Sequence, residues 1–180
     1  MAHEQQRDFC LSVSQKHPTH FFGKRVLDCG SLDVNGNNRY LFIGCSYLGI
    51  DVGTGRNVDI VSPIHEFNHP DESFDTIIST ECFEHDKYYI KSLKNIVRLL
   101  KSGGMFIFSC ATTGRKEHGT SKTTPQDSPL TNNIDGWNDY YKNLEESDIR
   151  NAINIDEIFS KYEFSSQFIT CDLYFWGIKK

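Results

Sequence analysis

The chain has 180 residues, 38% of them apolar and 24% charged, and its formal net charge is −5. This length can bury one sizeable core but is short for two ordinary domains, and the acidic balance lacks the basic face that broad nucleic-acid binding requires. The six cysteines are scattered singly along the sequence, which argues against a disulfide framework. The amino-terminal stretch is polar and no apolar run is long enough to span a membrane, so the sequence predicts a cytoplasmic protein.

The first half of the chain predicts short strands joined by turns. Residues 3–17 carry spaced apolar side chains before Pro18, which predicts a helix that either covers a ligand site or caps a sheet. A brief helix is expected at 39–43. Short apolar runs bounded by Gly, Pro or Asp predict four strands, at 26–29, 47–52, 58–61 and 74–79.

The second half begins with the clearest helix of the sequence. Apolar side chains recur at helical spacing over residues 86–100, and the glycine pair at 103–104 is expected to end this helix before a strand at 105–110. The polar segment 111–136 is too long for an idle connector, so we expect it to be functional or disordered. The remaining predictions are helical pieces over 137–158 and an antiparallel hairpin of strands 163–170 and 172–179.

Strands that alternate with helices or helix-length connections predict a parallel sheet with right-handed crossovers. The predicted architecture is therefore an α/β fold, a Rossmann-like three-layer sandwich. Its sheet is expected to be mostly parallel and to end in the antiparallel carboxy-terminal hairpin. A single domain is expected over residues 1–180.

The stretch 24–51 has the strand, turn and strand order of a nucleotide-binding βαβ unit, and it ends on Asp51. A dinucleotide fingerprint would place its second glycine where Leu32 stands. Asp28 and Asp33 would also repel a pyrophosphate, although Asp33 is equally well interpreted as an ordinary turn or cap residue. The turn therefore favours a positively charged ligand without phosphates, and a nicotinamide-dependent enzyme is the disfavoured alternative.

Four segments within residues 24–110 together resemble a known family. They are VLDCGS, YLGIDV, DESFDTIISTECFEH and LLKSGGMFIFS, in this order. With these spacings the chain resembles the class I S-adenosylmethionine-dependent methyltransferases, especially their type 11 methyltransferase domains. The resemblance implies S-adenosylmethionine as cofactor, whose ammonium and sulfonium groups are cationic, and methyl transfer to an oxygen or nitrogen nucleophile.

The resemblance also implies where the cofactor lies. Asp28 and Gly30 match the first motif, near the methionine part, and Asp51 matches the carboxylate that accepts hydrogen bonds from both ribose hydroxyls. Ile64 and His65 fall in the loop that frames the adenine ring. The full implied cofactor-binding set is Asp28, Gly30, Ser31, Asp51, Val52, Ile64, His65, Thr80 and Glu81.

The catalytic candidates follow the fourth predicted strand or lie in the polar segment. His85 matches a family histidine where the methyl group should emerge, whereas the neighbouring Glu84 is interpreted as a carboxylate stabilised by a helix amino terminus. His118 is either a solvated loop residue or an acceptor-binding base. If the acceptor needs a general base, His85 and His118 are the first candidates and Glu81 follows them. No metal ligands are predicted.

On this interpretation the domain has four parts. An amino-terminal helix or lid (1–22) precedes the cofactor-binding core (24–110), an acceptor-side region (111–160) and the hairpin (161–180). The expected acceptor is a small molecule or a sugar rather than nucleic acid or a membrane. The alternative is a catalytically silent S-adenosylmethionine-binding module that acts through a protein partner.

Overall fold

The computed structural model describes residues 3–180, which form one seven-stranded sheet flanked by helices. The strands are β1 Arg25–Cys29, β2 Ser46–Asp51, β3 Ile60–Val61, β4 Phe74–Thr80, β5 Leu100–Ala111, β6 Phe159–Gln167 and β7 Asp172–Lys179. The α-helices are α1 Glu4–Lys16, α2 Tyr89–Leu99, α3 Glu146–Ala152 and α4 Ile155–Ile158. Along the sheet the order is β3-β2-β1-β4-β5-β7-β6.

Strands β1 to β5 run parallel, and β7 runs antiparallel to both β5 and β6. The predicted α/β architecture with a carboxy-terminal hairpin is therefore confirmed. The strand order reverses direction between β1 and β4, and ligands of open α/β sheets bind outside the carboxyl ends of the strands at such a point.

Two apolar clusters lie on opposite faces of the sheet, because successive side chains of a strand point to opposite faces. On one face Cys10 and Val13 of α1 pack against Val26 of β1 and its neighbours. On the other face Leu93 and Ile96 of α2 pack with Leu27, Ile77 and Phe106, and residues of α3 join this cluster. Helix, sheet and helix thus make the predicted three layers.

The sequence predicted that the glycine pair at 103–104 ends α2. In the structure the helix ends earlier. Leu99 is the last helical residue, Leu100 already pairs with Phe74 of β4, and both glycines lie within β5. A Cβ on Gly104 would lie 2.9 Å from the Asp75 carbonyl oxygen, so close backbone packing requires glycine there. The β4–β5 register shifts between Phe74 and Thr76 at the same place.

Other element boundaries also differ from the prediction. The helix expected at 39–43 is one 3₁₀ turn, Arg39–Leu41, and β3 has only two residues. Within 137–158 only α3 and α4 are helical; a capping box between Glu145 and Asp148 starts α3. Segment 111–136 has turns and two 3₁₀ turns, and β6 begins four residues before the predicted position.

Helix α1 caps one face of the sheet and also reaches the ligand side. Gln6, Cys10 and Val13 are its buried residues, and Gln6 Nε2 donates a hydrogen bond to Asn38 Oδ1 at 3.4 Å. Among residues 3–180, none of the helices combines the length and the apolar character that crossing a membrane would require.

Candidate functional site

A cleft opens at the carboxyl ends of β1, β2 and β4, on either side of the point where the strand order reverses. Its empty space, including the open solvent at its mouth, is about 900 Å³. Of the residues predicted to bind the cofactor, the following line it: Asp28, Gly30, Ser31, Asp51, Val52, Ile64, Thr80 and Glu81. His65 does not.

The turn after β1 is held tightly against its neighbours. Gly30 has a φ of +77°, and a Cβ added there would lie 2.4 Å from Cys82 Sγ. The amide groups of Gly30 and Ser31 both donate hydrogen bonds to the carbonyl oxygen of Ile50, at 2.9 and 3.1 Å. Glycine is required here both for the left-handed backbone and for the missing side chain.

Asp28 places a buried carboxyl group in the cleft. It is 5% exposed, and its Oδ2 accepts hydrogen bonds from the Tyr47 hydroxyl at 2.7 Å and from Asn57 Nδ2 at 3.3 Å. Burial raises the pKa of Asp28 to about 7, while the bond from Tyr47 opposes that rise. A cation bound beside Asp28 would stabilise its charged form.

Asp51 ends β2 and joins it to the turn after β1. Its Oδ2 accepts a hydrogen bond from the Leu32 amide at 2.9 Å, and its Oδ1 accepts one from the Val52 amide at 2.7 Å. Burial raises the pKa of Asp51, and these two bonds oppose the rise. Each carboxylate oxygen keeps a further lone pair for a ligand hydroxyl.

Asp33 is a turn residue rather than part of the cleft lining. It accepts hydrogen bonds from the Gly36 amide and Asn37 Nδ2, each at 2.7 Å, and forms an ion pair with Arg56 at 2.8 Å. Its charge is thus balanced locally. The sequence argument for a cationic ligand, which used both Asp28 and Asp33, therefore depends on Asp28 alone.

The wall opposite the strands comes from residues that the sequence analysis did not place there. Pro129, Leu130 and Trp137 line the cleft together with Val52 and Ile64. Leu130 and Trp137 are, with Ile134, the large apolar side chains in an otherwise polar stretch, a signal that could have identified them. The imidazole of His65 lies outside the lining, with its centroid 4.4 Å from the Tyr88 ring and 6.3 Å from the Trp137 ring.

Glu81 forms the acidic side of the cleft in a strained conformation. Its φ is +52°, uncommon for a residue with a side chain and typical of functional sites. Its Oε1 accepts a hydrogen bond from Ser109 Oγ at 2.7 Å, while Oε2 has no hydrogen-bond partner among the described residues. His3 Nε2 and Arg115 Nη2 lie 3.9 and 4.0 Å from Oε2. Burial raises the pKa of Glu81.

Comparison with protein families agrees with this geometry. A family model described as a methyltransferase domain matches residues 32–108, a range that begins two residues after Gly30 and covers Asp51 and the end of β4. The chain has the class I methyltransferase fold. The family resemblance seen in the sequence is therefore confirmed. No curated protein sequence matches the chain.

Several solved structures share the methyltransferase fold at low identity. The 1,6-didemethyltoxoflavin-N1-methyltransferase of Burkholderia thailandensis, with bound 1,6-didemethyltoxoflavin and S-adenosylhomocysteine, is 14% identical (TM-score 0.65; 97% of this chain, 78% of that one). The PH0226 protein of Pyrococcus horikoshii OT3 is 16% identical (TM-score 0.67; 98% and 90%). Phosphoethanolamine N-methyltransferase 2 of Haemonchus contortus, in complex with S-adenosyl-L-methionine, is 15% identical (TM-score 0.64; 96% and 52%).

Within this methyltransferase fold, His85 lines the cleft. It is 5% exposed, and neither ring nitrogen has a hydrogen-bond partner among the described residues. Its ring centroid is 5.0 Å from that of His118 and 5.6 Å from that of Tyr141. Burial, and next the proximity of His118, lower the pKa of His85 to about 3. His85 is therefore a neutral imidazole.

Glu84 and His118 do not have the surroundings that the sequence suggested. Glu84 is fully buried, and α2 begins only at Tyr89, so a helix amino terminus does not account for its carboxyl group. Burial, followed by the charge of Glu81, raises the pKa of Glu84 to about 8. His118 is outside the cleft lining, but its Nε2 is buried, which argues against a simple solvated loop residue.

Proposed function

We propose that this chain is an S-adenosylmethionine-dependent methyltransferase that acts on an oxygen or nitrogen of a small-molecule or sugar acceptor. The observation that carries the proposal is the presence of Asp28 and Asp51 in one cleft at the reversal of strand order. One carboxyl group suits a cationic end of a ligand, and the other suits a pair of hydroxyls. S-adenosylmethionine presents both features.

The residues of the cleft fit this cofactor in several respects. The carboxyl group of Asp28 is removed from water, so a ligand ammonium beside it would replace the lost solvation. Asp51 is fixed by two backbone amides, which leaves it oriented for the ribose hydroxyls. Val52, Ile64 and Trp137 offer apolar surface for an adenine ring. A dinucleotide fits less well, because its pyrophosphate would face Asp28.

The cofactor would supply an electrophilic methyl group, and the chain would mainly align the acceptor with it. Alignment of two reactants can lower a barrier by several kcal/mol, about 7 or more in favourable cases. His85 lines the cleft and offers unpartnered ring nitrogens that can hydrogen-bond an acceptor. Glu81, which also lines the cleft, and His118, which does not, are further candidates. The solved N-methyltransferases with small-molecule acceptors support an acceptor of this size.

Calorimetric titration tests cofactor binding directly. We expect S-adenosylmethionine and S-adenosylhomocysteine to bind and NADH not to bind. Asp51→Ala should weaken binding about 10-fold or more, because each lost hydrogen bond to a charged group contributes about 1.5 to 3 kcal/mol. The matched control is Asp75→Asn, since Asp75 pairs with Lys101 outside the cleft. Tight NADH binding would overturn the proposal.

Acceptor identity requires a separate experiment. Incubation with methyl-labelled cofactor and fractionated cell extract should transfer label to a small-molecule fraction. The Asp51→Ala variant in the same assay controls for transfer that does not depend on this cleft. Cofactor binding without transfer to any fraction would instead favour the silent binding module.

A further inference from the structure

We propose that Glu84, His85 and His118 bind a divalent transition-metal ion beside the cleft. One ligand atom from each of these side chains lies within 4.8 Å of the others. Metal bonds of about 2.0 to 2.2 Å place ligand atoms roughly 3 to 4 Å apart, so a small side-chain movement would close the site. Two histidines and one carboxylate form a common set of metal ligands.

Glu84, His85 and the Nε2 atom of His118 are buried without the partners that buried polar groups normally have. Neither carboxyl oxygen of Glu84 and neither ring nitrogen of His85 has a hydrogen-bond partner within residues 3–180. Glu84 is 0% and His85 5% exposed. Buried polar atoms in folded proteins are nearly always satisfied, so this concentration of unsatisfied atoms needs a ligand. A single metal ion can satisfy one atom from each side chain.

His118 is oriented as a metal-binding histidine would be. Its Nδ1 lies 3.1 Å from the carbonyl oxygen of Lys116, to which it can donate a hydrogen bond. This bond selects the tautomer in which Nε2 carries a free lone pair, and Nε2 is the buried nitrogen without a partner. Histidine ligands are typically held by such a bond from the opposite ring nitrogen.

The surrounding chain packs closely around the two imidazoles. A Cβ on Gly119, whose φ is +68°, would lie 2.6 Å from His85 Cε1, so glycine is required next to His118. The ring of Tyr141 lies 5.0 Å from that of His118 and 5.6 Å from that of His85. Segment 111–136 is thereby held against the β4 end, where the other two ligands lie.

A second group of possible ligands, His3, Glu81 and Asp172, does not make the same case. There His3 Nε2 lies 2.9 Å from Asp172 Oδ2, and Arg115 Nη1 lies 3.1 Å from Oδ1. The arginine already supplies positive charge to these carboxylates. The cluster of Glu84 and the two histidines has no such cation among its hydrogen-bond or ion-pair partners in the described chain.

The ligand set indicates the class of metal and, through the proposed function, the class of acceptor. Imidazole nitrogens favour Zn²⁺, Fe²⁺, Co²⁺ or Ni²⁺ over Mg²⁺ and Ca²⁺, which prefer oxygen ligands. Three protein ligands leave a coordination position open. Because His85 lines the cleft, an acceptor hydroxyl or carboxylate could occupy that position. This last step rests on the proposed methyltransferase function; the metal site itself does not.

The test uses the full chain without an affinity tag, freed of metal by a chelator and then dialysed. We expect one equivalent of Co²⁺ to produce the visible absorption bands of a protein-bound ion, and one equivalent of Zn²⁺ to displace it. Glu84→Gln and His118→Ala should each weaken Zn²⁺ binding by about 100-fold or more, as loss of a ligand does in metal sites. The matched control His20→Ala, at a histidine outside both ligand groups, should bind normally.

Two further measurements keep the outcomes distinct. Thermal unfolding of each variant shows whether it is folded, and His118→Ala, in a loop, is the variant expected to fold most readily. S-adenosylmethionine binding by that variant should persist, because His118 does not line the cleft. Stoichiometric metal binding that neither variant weakens, or no binding by the wild-type chain, would overturn the metal site. A wild-type chain that binds the metal ion but not S-adenosylmethionine would instead count against the proposed function and leave the metal site standing.

Discussion

The hydroxyl of Tyr47 on β2 donates a 2.7 Å hydrogen bond to Oδ2 of Asp28 on the neighbouring strand β1. Burial alone would favour the neutral form of Asp28, whereas this bond and a longer one from Asn57 favour its charged form. The balance leaves the Asp28 pKa at about 7. The negative charge that Asp28 presents to a cation in the cleft therefore changes with pH near neutrality.

Tyr47→Phe should weaken S-adenosylmethionine binding and shift its pH dependence. Without the hydroxyl, the Asp28 pKa rises further, so less of the carboxylate is charged at neutral pH. The removed bond to a charged group contributes about 1.5 to 3 kcal/mol. Calorimetry between about pH 6 and about pH 8.5 should show the binding midpoint at higher pH than in wild type. Tyr162→Phe, outside the cleft, is the control; coincident profiles for Tyr47→Phe and wild type would contradict the prediction.

Asp28→Asn should make the ligand-free protein more stable at alkaline pH. The folded-state pKa of about 7 exceeds the ordinary value of 3.8. The native state therefore binds more protons than the unfolded state between these values. The contribution of Asp28 to stability is fully present below about pH 4 and is lost as pH rises through about 7, a loss on the order of 2 to 4 kcal/mol.

Chemical denaturation at about pH 5 and about pH 8 measures this effect as a difference between the two proteins. An asparagine does not titrate, so the free energy of unfolding of the variant relative to wild type should increase over this interval. The same variant should bind S-adenosylmethionine more weakly, because it lacks the negative charge. A constant difference in stability between wild type and variant would show that Asp28 titrates as an ordinary carboxyl group.

Tryptophan fluorescence should report cofactor binding through a single residue. The chain has two tryptophans, of which Trp137 lines the cleft and Trp176 lies on β7 beside His17. Binding should change the emission of wild type and of Trp176→Phe, but not of Trp137→Phe. We also expect Trp137→Ala to lower affinity by about 10-fold, since burial of a large aromatic surface contributes on the order of 1.5 to 3 kcal/mol. If binding changes the emission of Trp137→Phe as much as that of wild type, Trp137 is not part of the binding surface.

Gly30→Ala should destabilise the fold by roughly 2 to 4 kcal/mol, through a left-handed backbone and a clash with Cys82. Urea denaturation of a double-mutant cycle separates the two causes. In a Cys82→Gly background, Gly30→Ala should cost only the backbone part, roughly 1 to 2 kcal/mol. Equal costs in both backgrounds would show that the thiol does not restrict position 30.

The cofactor side of the cleft could be predicted because short apolar runs in the sequence indicate the strands at whose ends its residues lie. Asp28 and Asp51 each lie at or near the end of a short apolar strand, and parallel strands end at one edge of the sheet. The turn glycine follows directly from β1. For Asp33 the sequence left two interpretations open, and the structure agrees with the ordinary turn residue: Arg56, 23 positions along the chain, neutralises its charge.

The cleft wall of Pro129, Leu130 and Trp137 could not be predicted, and neither could the cluster of Glu84 with the two histidines. Both depend on the path of segment 111–144. That path is set by contacts with distant residues, such as the bond from the Lys142 amide to the Glu84 carbonyl oxygen at 2.9 Å. Leu144 similarly donates its amide to the carbonyl oxygen of Ala111. No periodicity in a polar loop encodes such contacts, so Trp137 and His118 could be singled out in sequence but not placed.

The surroundings of Glu81 have a consequence for the order in which the site forms. Its carboxylate is surrounded by His3, Ser109 and Arg115, and through the arginine by Asp172, so the contacts extend over nearly the whole chain. Contacts between such distant residues form slowly, since a large loop must close first. A folding intermediate that lacks the β5–β7 pairing would hold Asp28 and Asp51 in place yet leave Glu81 without its cationic neighbours.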